Sequence, residues 1–490
     1  MKWIRKDKWA LFYTSLLLLI ILLTAVGIYG LMKPLPESVS FEGEDHEIPD
    51  AQFYYDLTYQ TKDGDWVSDQ SIFDEIIEVI NRADSYLLLD MFLFNAYHDR
   101  DEEMPEISKR VTEALLSKKE SNPDIEIIFI TDEFNTGYGS HDSIHLVQLE
   151  EAGIHTVISD LTPLRDGKPV YSAFYRTFFQ WFGRGENGWI SHPLSEEAPS
   201  LTARSYLKLL NLKANHRKLV VSDKEAFVTS ANPHDGSGLY SNIGFRVTGS
   251  VIKDIWAAEK AVASFSTDEP LPFPSDEDFL YDERAEEIDN GDDRVIARHL
   301  TESSVKNHVI EAIEYSATDD LIYIGVYYLA KDPIADALLE ASRRGVDIRI
   351  VLDPNSYSFS QETHGLPNRP SAKHIHEESN GHIDIRWFNI DKEQYHTKLM
   401  FVQKQEESIM IGGSSNFTRR NMDDFNLDAS IKLTASNESS LSDSVLQYFE
   451  KIWTNEDGLY TLPLEEYEDD LSFWKPAVFR LQQWLYFTTY

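Results

Sequence analysis

The chain has 490 residues, 42% hydrophobic and 26% charged, which is ample for two or three folded domains and excludes disorder throughout. It has no cysteine, so disulfides, thiolate metal sites and cysteine nucleophiles are ruled out. A formal net charge of −38 repels nucleic-acid phosphates, so nucleic acid is a disfavoured partner.

In chain order, residues 1–8 form a short basic segment and residues 9–32 an uncharged apolar run, long enough at helical rise to cross a bilayer. Lys2, Arg5, Lys6 and Lys8 precede it, and Glu37, Glu42, Glu44 and Asp45 follow. That bias predicts a single-pass cell-membrane protein with a cytoplasmic N-terminus and an extracytoplasmic remainder. A cleaved signal peptide is the competing reading, since Thr24, Ala25 and Gly27 are small; the apolar run is long for one.

After a linker at 33–50, two regions repeat one order of elements. In 51–268, apolar periodicity predicts a helix over 72–83, a strand over 86–94, a helix over 107–118, and strands over 125–131 and 154–159. In 293–490 the same order recurs: helix 305–315, strand 321–327, helix 333–344, and strands 346–352 and 383–388. Strand–helix alternation of this kind predicts an α/β fold with mostly parallel or mixed sheets, duplicated. Residues 269–292, rich in proline and acid, read as the connector between the halves. An insertion over 161–203 carries Trp181, Phe182 and Trp189, and fits a lid, a membrane-dipping loop or a packed surface excursion.

Each half ends its pattern on a similar motif. The first reads Asn215-His216-Arg217-Lys218, an apolar run, Asp223, then Ser230-Ala231-Asn232; the second reads Tyr395-His396-Thr397-Lys398, an apolar run, then Ser414-Ser415-Asn416. On a strand, residues i and i+2 share a face, so each histidine is expected beside its lysine. The residue types suit phosphodiester chemistry without a metal. One neutral imidazole attacks phosphorus, a second, protonated, hands a proton to the leaving alkoxide, and lysines and asparagine amides hold the non-bridging oxygens.

At these residues the sequence resembles the phospholipase D superfamily, whose signature is His-x-Lys-x4-Asp followed by a Gly/Ser-Ser-x-Asn segment, present twice. Ser230 to Asp235 also resembles its cardiolipin synthase-like bacterial branch. The resemblance covers nearly everything after the apolar run. It implies two duplicated domains with the active site at their interface, a phosphohistidine intermediate, and a membrane phospholipid as substrate. His216, Lys218, Asp223, His396 and Lys398 are then catalytic, Asn232 and Asn416 bind the phosphate, and no cofactor or metal is required. The second copy departs from the signature at Gln403, where aspartate is expected. The family's downstream Asn-x-Glu is matched by Asn426-Leu427-Asp428, making Asp428 a candidate orienting group, but by Asn242-Ile243-Gly244 in the first half. This asymmetry favours His216 as nucleophile and His396 as general acid.

Other clusters carry less. His374, His376 and His382 read as a solvated segment, His141 and His145 form no recognised ligand pattern, and Gly236-Ser237-Gly238 is not a nucleophile elbow. Arg419 and Arg420 fit a phosphate contact or an ion pair with Asp423 and Asp424. The leading expectation is a membrane-anchored phosphodiesterase or phosphatidyltransferase. A cardiolipin synthase-like transferase, a nuclease of the same superfamily and an inactive envelope scaffold are the alternatives.

Overall fold

The computed structural model describes residues 2–37, 39–183, 188–193, 195–279, 294–330, 333–358, 361–363 and 365–470. Most of the acidic connector expected over 269–292 lies outside them.

The two halves build two sheets whose strands correspond one for one. In the first, strands run in the order Ala51–Thr61, Asn242–Thr248, Glu225–Thr229, Lys218–Ser222, Tyr86–Met91, Glu126–Thr131, His155–Ile158. In the second they run Val295–Thr301, Ala429–Ser436, Glu407–Gly413, Lys398–Gln403, Leu321–Val326, Asp347–Leu352, Ile383–Phe388. Both sheets are mixed. Parallel pairing joins Tyr86–Met91 to Glu126–Thr131 and on to His155–Ile158, with its counterpart in the second half, where helices supply the crossovers. The histidine-bearing side is antiparallel: each motif strand pairs with the central strand on one side and, through a short turn, with the following strand on the other.

Side-chain alternation explains why these strands read as unbroken apolar runs. In Lys218–Ser222, Leu219 and Val221 enter a core shared by both halves, while Val220 packs into the first half's own core under its helices. In Lys398–Gln403, Leu399 and Phe401 enter the shared core, and Met400 and Val402 the second half's own core. Both faces of each sheet are therefore buried. The helix Ile72–Arg82 shows the helical version of the rule, burying Ile72, Phe73, Ile76, Val79 and Ile80 on one stripe, with Asp74 and Glu75 in its first turn and Arg82 in its last.

The halves also exchange edges. His46–Ile48, within the segment read as a linker, pairs with Val295–Thr301 of the second-half sheet, and Gly458–Leu459 pairs with Ala51–Thr61 of the first. With a core in common, the halves are fixed in one arrangement. The helix Lys2–Met32 contains one stretch, Lys8–Met32, long and apolar enough to cross a membrane, and most of its side chains point away from the protein.

Candidate active site

Each motif histidine sits just before its strand, where the backbone leaves the sheet and pairs with the opposite half. The His216 N–H donates to Leu427 O (2.7 Å) and the His396 N–H to Ser241 O (2.8 Å). In return the Leu427 N–H donates to Ala214 O and the Ser241 N–H to Gln394 O (both 3.0 Å). These reciprocal bridges bring His216 and His396 to one pocket of about 330 Å³, also lined by Asn232, Asn416, Tyr240 and Arg420.

A buried aspartate fixes each motif from behind. Asp132 accepts the N–H of Asn215 (2.7 Å) and of Phe134 (2.7 Å); Asp353 accepts the N–H of Tyr395 (2.7 Å) and of Asn355 (2.6 Å). The residue before each histidine is thereby pinned. The sequence signal was present, since both aspartates directly follow an equivalent parallel strand.

The imidazoles are held through Nδ1, by unequal partners. His216 Nδ1–H donates to Asp428 Oδ1 (2.8 Å), and that carboxylate also accepts from Ser414 Oγ (3.0 Å) and Asn421 Nδ2 (2.9 Å). His396 Nδ1–H donates to Asn242 Oδ1 (3.0 Å), which also accepts from Ser230 Oγ (2.9 Å), while Asn242 Nδ2 donates to Tyr240 O (3.0 Å). Those bonds fix the orientation of the amide. With Nδ1–H engaged in both rings, the neutral tautomer leaves Nε2 as the free basic atom.

Asp428 and Asn242 thus occupy equivalent places, each one residue beyond its bridging partner, Leu427 or Ser241. The pairing of Asn426-Leu427-Asp428 with Asn242-Ile243-Gly244 is corrected by two residues: Tyr240-Ser241-Asn242 is the true counterpart. Gly244 lies instead against Phe227, too close to admit a side chain.

Lys218 and Lys398 curl back so that each Nζ donates to the carbonyl of its own histidine, at 2.7 and 2.6 Å. Lys218 lies over the Phe92 ring and Lys398 over Tyr327, at 5.0 and 5.4 Å. Burial drives Lys218 down to about 7; burial and then the charge of Lys218 drive Lys398 well below its ordinary value. The same forces, burial first and then the two lysines, push both histidines well below the ordinary imidazole range. Burial pushes Asp428 up to about 7. Neither buried lysine forms an ion pair with a carboxylate among the described residues, so an anion beside them would favour their charged forms. Asn232 and Asn416 each hold a buried Oδ1 with no hydrogen-bond partner, at equivalent positions of the two halves.

Asp223 does not join them. Five residues beyond Lys218 it stands at the far end of the strand, roughly 16 Å away at strand rise. There its Oδ1 accepts from the N–H of Asp84 (3.0 Å) and, more weakly, of Ser85 and Tyr86 (3.4 and 3.5 Å), closing the turn into the central strand. The expected catalytic role for Asp223 is therefore corrected to a structural one. Gln403 ends the equivalent strand opposite Leu321, equally remote from its histidine. Replacing Asp223 with alanine should lower stability by about 1–3 kcal/mol, the cost of orphaned buried donors, and change kcat per folded molecule less than about twofold. Denaturant midpoints measured alongside active-site-normalised rates check this; a large loss of kcat in folded protein would restore Asp223 to the chemistry.

The family described as "Cardiolipin synthase, PLD-like domain" matches residues 309–453, the stretch holding His396, Lys398, Asn416 and Asp428. That stretch of the chain is thus similar to a phospholipase D-like domain. Among curated proteins the chain is similar to a cardiolipin synthase of Clostridium perfringens (strain 13 / Type A), 23% identical over 302 residues, covering 58% of this chain and 51% of the relative. It is also similar to cardiolipin synthase A of Proteus mirabilis (strain HI4320), 27% identical over 293 residues, covering 57% of this chain and 56% of the relative. The chain thus spans about half the length of the curated relatives it matches. The crystal structure of phosphatidylserine synthase from Haemophilus influenzae Rd KW20 shares the fold, with a TM-score of 0.52 at 11% identity over 89% of this chain and 95% of that one. That likeness is one of fold, and it extends over both halves of the chain.

Proposed function

We propose that the protein is a membrane-anchored phosphatidyltransferase or phosphodiesterase that acts on phospholipid head groups through a phosphohistidine. The observation that carries this reading is the meeting of two histidines, with Nδ1 fixed by Asp428 and by Asn242, in a pocket flanked by two buried lysines. His216 Nε2 attacks phosphorus and the P–O bond to the leaving alcohol breaks as protonated His396 donates to its oxygen. A phosphohistidine and the free alcohol result. His396, now neutral, takes the proton of water or a second alcohol, whose oxygen displaces Nε2 and restores both residues. Lys218, Lys398, Asn232 and Asn416 hold the non-bridging oxygens, where negative charge concentrates.

Binding the phosphate also lets His396 take up from solvent the proton it needs. The anion offsets the lysine charges that hold His396 down, so its affinity for a proton rises only when substrate is present. Relatives described as cardiolipin synthases favour a second glycerophospholipid as the acceptor alcohol. The apolar helix is the anchor, with the basic segment Lys2–Lys8 cytoplasmic and the catalytic part outside.

The reading is tested by giving the full-length protein phosphatidylglycerol vesicles and, separately, single-stranded DNA. Turnover of the lipid with release of glycerol or water-soluble head group is expected, with DNA left intact. Cleavage of DNA alone would make the protein a nuclease, and turnover of neither would favour a scaffold.

A further inference from the structure

The helix Pro169–Phe178, inside the insertion over 161–203, packs against the membrane-capable helix rather than against the catalytic sheets. The two run antiparallel. Lys33 donates to Thr162 O; the Asp166 N–H donates to Gly30 O (2.9 Å); Gly27 faces Pro169 O and Ala173, which would stand 3.3 and 3.7 Å from a Cβ placed there. Small residues at such a crossing let two helices approach closely, as at helix contacts within bilayers. Leu19, Leu23 and Val26 continue the covered stripe of the N-terminal helix at helical spacing.

Pro169–Phe178 therefore descends beside the outer half of the apolar helix, a distance of about 15 Å at helical rise. The face it turns away from its partner is apolar: Val170, Phe174 and Phe178, one turn apart, are all exposed, and Trp181 and Phe182 follow at its end with 76% and 64% exposure. Its one charge, Arg176, turns back up, with Nε and Nη2 donating to the two oxygens of Asp166 (2.8 and 3.0 Å). That places the ion pair level with Gly30, near the end of the apolar run, where charged groups meet lipid head groups.

We propose that Pro169–Phe178, with Trp181 and Phe182, is a re-entrant element embedded in the outer leaflet of the lipid bilayer, seating the catalytic pocket at head-group level. The inference rests on the reading of Lys8–Met32 as the anchor, and continuity with that helix is what identifies lipid as the occupant. A second cavity, of about 320 Å³, lies at the same level, lined by Tyr175, Arg176, Trp181, Arg204, Lys208 and Lys213. Arg204 holds Nε and Nη1 buried without a partner there. This cavity shares Tyr138 and Lys213 with the catalytic pocket, so a head group beside the embedded helix is one wall from the histidines.

The cysteine-free sequence permits a clean test. Spin labels are attached to Phe174→Cys and Phe178→Cys in the full-length protein reconstituted in phosphatidylglycerol-containing bilayers, with Leu22→Cys as the anchor reference and Tyr315→Cys as the aqueous reference. Labels at 174 and 178 are expected to relax with oxygen and be shielded from a soluble nickel chelate, as at 22. Aqueous behaviour at 174 and 178 with a lipidic label at 22 would overturn the embedded helix and leave the anchor standing; an aqueous label at 22 would overturn both. As an independent readout, Phe174→Asp with Phe178→Asp should reduce turnover on vesicles about tenfold or more and leave a soluble short-chain phosphodiester turned over at nearly the original rate. Equal losses on both substrates would assign these residues to folding instead.

Discussion

His216→Ala should abolish turnover of every phosphodiester, lipid or soluble, by a factor of about 10⁴ or more, because it removes the proposed nucleophile. His396→Ala should behave differently, and the difference identifies the roles. With a natural lipid the leaving alkoxide is strongly basic, and loss of its proton donor should cost about 10²–10⁴. With a p-nitrophenyl diester the leaving group departs without a proton, so His396→Ala should retain a burst of p-nitrophenol equal to the enzyme concentration, followed by slow deacylation-like hydrolysis of the phosphohistidine. Rapid quench on the two variants reads this directly. A burst in His216→Ala and none in His396→Ala would exchange the assignments.

Much of this site was legible in the sequence. The repeat of histidine, lysine and downstream Ser-x-Asn at equivalent places, each after the same run of strands and helices, located both halves of the pocket without any contact being known. Asp223 matches the motif letter, but strand geometry separates it from the site: five residues along an extended chain cannot return to the same pocket. Asn242 was missed for another reason. The segment from Ser414 to Asp428 is two residues longer than that from Ser230 to Asn242, and the repeated Asn-x pattern invited a register that only the backbone bridges to Leu427 and Ser241 correct. Exchange of edge strands between the halves left no mark in local periodicity, because an edge strand records which faces are buried and not which sheet it joins.

The pairing of Asp428 with one histidine and Asn242 with the other leads to the second prediction. A carboxylate on Nδ1 raises the basicity of Nε2 and offsets the positive charge that the imidazole acquires when phosphorylated, whereas an amide orients the ring without doing either. Asp428→Asn keeps an acceptor that can hold the ring, as Asn242 does for His396, so the geometry should survive. The electrostatic help should not, and kcat should fall about 10²-fold, less than the roughly 10⁴ that follows where such a change also imposes the wrong tautomer. The pH profile gives the sharper reading. With the carboxyl at about 7, the His216–Asp428 pair gains a proton as pH falls through neutrality and loses nucleophilicity, so the acid limb of kcat/KM should lie near 7. In Asp428→Asn that limb should move to lower pH, since burial and the lysines hold the imidazole neutral and no carboxyl remains to take the proton. Stability carries the opposite sign to an ordinary salt bridge. A carboxyl raised from its unfolded value near 4 stabilises the fold fully below that value and loses this contribution as pH climbs through 7. Asp428→Asn should therefore melt no lower than the parent at pH 8, even as its rate drops. The reciprocal Asn242→Asp places a second carboxylate behind His396 and should make that ring the competing nucleophile. An unchanged acid limb in Asp428→Asn would mean that the inequality of the two imidazoles arises elsewhere than at Nδ1.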